Sequence, residues 1–98
     1  MARLTKTEKF QAKIGIRMEH ARAAYIELRA KAKEMQLEAR TELDKSLNAL
    51  EKAQGELKVK LDEWAKAGQD AGKELKKGIK ASAGELKKSV KEAYKKLP

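Results

Sequence analysis

Apolar positions recur along the first part of the chain at alternating steps of four and three. They run Ile14, Met18, Ala21, Tyr25, Leu28, Ala32, Met35 and Ala39. That is the a/d spacing of a heptad seam on one side of an α-helix. The phase slips where Ala39, Leu43 and Leu47 stand four apart, then resumes through Leu50, Gln54, Leu57, Leu61 and Trp64. From Ile14 to Trp64 the mean step is about 3.57 residues, between a strict 3.5 repeat and a straight helix, which predicts weak left-handed supercoiling. Thr5-x-x-Glu8 has the spacing of a capping box at the start. Gly15 and Gly55 lie inside the run, each costing roughly 1 kcal/mol relative to alanine, and neither sits in a turn cluster. The pattern therefore predicts one long amphipathic helix over about 5–67.

Gly68 and Gly72 flank Gln69-Asp70. They read either as small residues inside a continuous helix or as a break over 68–71 with Asp70 as N-cap, and the break is preferred. Beyond it an eleven-residue repeat sets in. Trp64, Leu75, Leu86 and Leu97 are each eleven apart, as are Glu63, Glu74 and Glu85. Eleven residues make three turns at about 3.67 per turn, so this stripe stays nearly straight. Ala71, Leu75, Ile79, Leu86, Val90, Ala93 and Leu97 fall on one face, predicting a shorter amphipathic helix over about 71–97. Lys73, Lys76, Lys77, Lys80, Lys87, Lys88, Lys91 and Lys95 cover the opposite side. Ser82-x-x-Glu85 is a second capping-box spacing, but the unbroken repeat across Gly84 favours a continuous helix. The fold class expected is all-α: a single helical coiled-coil or helical-bundle domain over 1–98.

At about 1.5 Å per residue the first helix would be roughly 90 Å long and the second roughly 40 Å. Folded back, the short helix covers less than half of the long one. The seam from Ile14 to Ala39 would stay in water, which predicts a homo-oligomer, a dimer or tetramer. Gln54 at a seam position would help fix its register.

Composition narrows the chemistry. Charged residues are 40% of the 98, aromatics only 4%, and the net charge is +9. There is no cysteine and one histidine. Thiol nucleophiles, disulfides and thiolate metal sites are excluded, and acid–base chemistry has little to work with. His20 lacks a glutamate three residues earlier, where Arg17 stands, so it reads as a surface residue and not a metal ligand. No catalytic, metal, cofactor or small-molecule site is expected. Met18 and Met35 read as core, and Trp64 as an anchor at the helix end. No signal peptide or membrane span is visible, which makes a cytoplasmic location the expectation.

The stretch Leu61-Asp-Glu-Trp64, Ala67-Gly68-Gln-Asp-Ala71, Glu74-Leu75-Lys76-Lys77-Gly78-Ile79 and Glu85-Leu86-Lys87 resembles a family of small bacterial coiled-coil proteins linked to stress responses. That family carries tryptophan where this chain has Gly72 and Gly84, and its tail is less basic. The resemblance implies an all-helical, non-enzymatic coiled coil and brings no catalytic residues with it.

Residues 72–98 hold nine lysines against three glutamates, and all five arginines lie before them. The bland reading of this lysine face is a solvated surface. Two functional readings stand beside it: an anionic membrane surface, or nucleic acid bound through its phosphates without sequence specificity. The main expectation is an oligomeric interaction or scaffold protein, with these two as the alternative.

Overall fold

The computed structural model describes residues 6–67 and 72–97, the side chain of Thr7 excepted. It is all-α: α1 spans Lys6–Ala32, α2 Leu37–Ala67 and α3 Lys73–Lys95. The helix expected over 5–67 is thus two helices, folded back at residues 33–36. The pattern hides this break because Lys33-Glu34-Met35-Gln36 contains no glycine or proline. The chain turns in a tightened last turn, with Glu34 N–H donating to Lys31 C=O at 3.0 Å and Met35 N–H to Ala32 C=O at 3.1 Å. The next helix opens with Arg40 N–H to Gln36 C=O at 2.9 Å. The phase slip in the seam, at Ala39, Leu43 and Leu47, lies inside α2 and does not mark this break. Ala39, assigned to the seam, is exposed, and Leu37 is 78% exposed.

The energetics of the fold-back follow from the seam. Breaking a helix over one turn sacrifices a few backbone hydrogen bonds, each worth about 1 kcal/mol net. Leaving α1 extended would keep Ile14, Leu28 and their neighbours in water, at about 1.5–3 kcal/mol for each large side chain. In the bundle Ile14 and Leu28 are buried, as are Leu43, Leu47, Leu50, Leu57 and Trp64 from α2, and Ile79 and Leu86 from α3. Met18, Tyr25, Met35, Leu61, Leu75, Val90 and Leu97 are half-buried against this core. Alanines at 21, 24 and 32 on α1, and at 83 and 93 on α3, are buried with the leucines and allow close approach of the helices. Phe10, Ala24, Ser82 and Ala83 are core or core-edge residues that the heptad reading leaves out.

Long-range contacts fix the topology. Phe10 packs on Trp64 with ring centroids 5.0 Å apart and the rings tilted by 45°, and Tyr25 O–H donates to Glu51 at 3.3 Å, so α1 and α2 are antiparallel. Lys60 Nζ on α2 donates to the buried Ser82 hydroxyl on α3 at 2.7 Å. Phe10 lies beside Lys76, and Glu27 accepts from Tyr94 O–H at 3.0 Å. That nearly constant offset makes α1 and α3 parallel neighbours. The bundle measures 50 × 29 × 17 Å, close to the length of α2 alone and far from a 90 Å rod.

α3 runs unbroken through Ser82 and Gly84. Its N-cap is Gly72, in extended conformation and without a side-chain cap. The caps expected at Thr5 and Asp70, the break over 68–71 and the stripe residue Ala71 lie outside the described residues. Apart from exposed Ala39, the seam and the Leu75–Leu97 stripe are buried or half-buried against this chain's own helices, so the argument for self-association from an uncovered seam no longer applies.

Candidate functional site: a cationic groove between the first and third helices

Parallel packing of α1 and α3 brings two rows of cations face to face. On α1, Lys6, Lys9, Lys13 and Arg17 follow steps of three, four and four, so they share one side of the helix. On α3, Lys76, Lys80, Lys87 and Lys91 follow steps of four, seven and four. The two rows flank a furrow in two connected parts of about 630 and 620 Å³, which share Lys13, Arg17 and Lys87. Among the described residues no carboxylate lines either part.

The floor of the furrow is apolar. Phe10, Ile14, Ala83 and Gly84 form it at one end, and Ile16, Ala21, Leu86 and Val90 at the other. Ile16 is 53% exposed. Phe10 is half-buried, one side against Trp64, with the ammonium groups of Lys76 and Lys80 at 5.1 and 5.9 Å from its ring centre. Such cation–π contacts contribute about 0.5–1 kcal/mol at an exposed site and hold the lysines over the furrow. At Gly84, as at Gly15, Gly55, Gly72 and Gly78, an added Cβ would meet nothing within 4 Å, so packing does not require a glycine there.

Like charges one helical turn apart are unfavourable by a few tenths of a kcal/mol per pair. Lys9–Lys13, Lys13–Arg17, Lys76–Lys80 and Lys87–Lys91 are four such pairs. The ion pairs Glu27–Lys31, Arg40–Asp44, Glu42–Lys45 and Glu92–Lys95 draw on other residues. Folding thus concentrates positive charge along one furrow, and an anionic polymer lying there would relieve the repulsion.

The lysine face read from the sequence is divided by the structure. Lys76, Lys80, Lys87 and Lys91 border the groove, while Lys73, Lys77, Lys88 and Lys95 face solvent elsewhere, Lys95 within 3.7 Å of Glu92. The α1 row is the part that sequence reasoning missed. Its signal was present in the spacing of residues 6, 9, 13 and 17, but acidic residues elsewhere in the first segment diluted it in the net charge. His20 is exposed and borders the second part of the groove beside Lys87 and Lys91. Among the described residues no three His, Asp or Glu side chains cluster as metal ligands, and no helix is long and apolar enough to cross a membrane.

Below the groove, α1 and α3 are latched by Glu27 and Tyr94. The Tyr94 and Lys31 hydrogen bonds hold the Glu27 carboxyl below its usual range. Desolvation, then the Glu27 hydrogen bond, push the Tyr94 hydroxyl upward.

Comparison with protein-family models, with curated proteins and with solved structures finds no match to this chain.

Proposed function

We propose that this protein is a non-enzymatic binder of nucleic acid, held by its phosphate backbone in the α1–α3 groove and not read for sequence. The observation that carries this reading is the pair of cationic rows over a furrow whose described lining holds no carboxylate. Among the described residues seven of the eight groove cations are lysines, which neutralise phosphates as point charges. Only Arg17 has the planar fork suited to recognising a base edge.

The membrane alternative is disfavoured on packing grounds. Interfacial helices insert an outward apolar face, and here Ile79 and Leu86 are fully buried in the core. For an interaction-scaffold role, the main sequence expectation, the outer side of α1 offers, among the described residues, a single exposed apolar side chain, Ile26, 62% exposed beside half-buried Met18 and Tyr25.

The test is anisotropy titration of labelled oligonucleotides, single-stranded and duplex, across a salt series. Binding should weaken steeply with salt. Replacing Lys76, Lys80, Lys87 and Lys91 with glutamine should reduce the log–log salt slope by about 3, at roughly 0.7–0.9 per neutralised phosphate. Far-UV circular dichroism should stay unchanged, because these side chains contribute charge and not core. No binding of either form at low salt would overturn the proposal, as would a quadruple variant that binds like the parent.

A further inference from the structure

The groove pairs its charge with an apolar floor, and a phosphate backbone alone has no use for that floor. We propose that the occupant is a single strand, with its phosphates on the lysine rims and its bases laid on the floor around Phe10 and Gly84. This rests on the nucleic-acid reading above and adds the form of the ligand.

Two features argue for a strand over a duplex. Adjacent helix axes lie about 8–10 Å apart, so the furrow between them is narrow. A duplex keeps its bases in the stack and would rest on the rims, leaving the floor unused. A single strand exposes the π-faces of its bases, which aromatic and apolar surfaces take up while cations track the backbone. The floor also has room. Gly84 sits in the interior of α3 at a cost of roughly 1 kcal/mol relative to alanine. Its Cβ position opens into empty space bordered by Phe10, Lys80 and Lys87. A base lying there would approach the helix backbone closely, which a side chain would prevent.

Phe10 couples this floor to an intrinsic reporter. Its ring packs at 5.0 Å on Trp64, the chain's one tryptophan, which is only 6% exposed. A base reaches the Phe10 ring by displacing the Lys76 and Lys80 ammonium groups from it, which changes the surroundings of the ring and of the indole packed on it.

The experiment titrates the full chain with oligothymidine, with a duplex of the same phosphate count, and with inorganic polyphosphate of matched charge. Oligothymidine should bind about tenfold more tightly than either, the value of roughly one stacked base, and it alone should change Trp64 emission. Gly84→Leu fills the floor, keeps every rim cation and favours the helix. It should abolish the preference, bringing oligothymidine affinity down to that of the duplex. Phe10→Leu, which keeps an apolar group against Trp64, should lower oligothymidine affinity more than duplex affinity. If all three ligands bind equally and Gly84→Leu changes nothing, the groove is a charge surface and the strand assignment is wrong, although the proposed function stands. If none binds at low salt, the proposed function itself has failed.

Discussion

Single residues decide how firmly α1 and α3 are joined at the end away from Phe10. Tyr94 donates to Glu27 at 3.0 Å, and Lys31 lies 3.3 Å from the same carboxylate. The Glu27 pKa is lowered from its usual 4.5 by these hydrogen bonds, so the stability it contributes is present above 4.5 and lost as pH falls through the lower folded value. The Tyr94 pKa is raised from 10.0, chiefly by desolvation, so its contribution is present below 10.0 and lost as pH rises through the higher folded value. Tyr94→Phe removes the donor and the titrating group together. Thermal unfolding should find the parent more stable than Tyr94→Phe near neutral pH, by a modest amount because the pair is exposed. The gap should shrink below pH 4.5 and again above pH 10.0. A gap that stays constant across both windows would show that the hydroxyl acts only through packing.

At the scale of elements, the turn at 33–36 tests whether α1 and α2 are two helices or one. Leu37 is the first residue of α2, 78% exposed, and Gln36 before it is not helical. Proline is well suited to a first helical position, and the residue before it favours extended backbone. Leu37→Pro should therefore leave stability unchanged or raise it by about 0.4–1 kcal/mol, through a less flexible unfolded chain. In a continuous helix over 5–67 the same substitution would cost about 3 kcal/mol or more. Urea unfolding separates the two outcomes. The helical class, the core positions at Leu28, Leu43, Leu50 and Leu57, and the continuity of α3 through Gly84 were legible in the spacing of apolar residues. The turn was not, because Lys33, Glu34, Met35 and Gln36 all favour helix and only tertiary burial bends the chain there. The seam spacing runs in register through Ala32, Met35 and Ala39 and slips only at Leu43 and Leu47, inside α2, so the pattern carries no trace of the turn. The groove was half legible: the α3 lysines stand out in a short, strongly basic segment, while the α1 row becomes visible only when the two helices lie parallel.

For the whole molecule, the fold-back converts an intermolecular problem into an intramolecular one. A seam on a 90 Å helix requires a second chain, but the same seam on two antiparallel helices, with α3 laid alongside, closes on itself. Leu28, Leu43, Leu50, Leu57, Ile79 and Leu86 are each under 2% exposed within one copy. Among the described residues what remains outside is dispersed: Ile16 in the groove, Ile26 on α1, Leu37 at the turn, Val59 on α2 and Tyr94 on α3. Scattered exposed side chains of this kind are ordinary on a monomer surface. The net charge of +9 adds mutual repulsion between copies, which is strongest at low salt. Multi-angle light scattering on the free protein should accordingly give the chain mass of 11.0 kDa, with no increase as concentration rises. Leu28→Asp should then act on the fold of a single copy, lowering its unfolding midpoint without any change in mass, because an unpaired charge would enter a closed core. A mass of twice the chain at low concentration would reverse this.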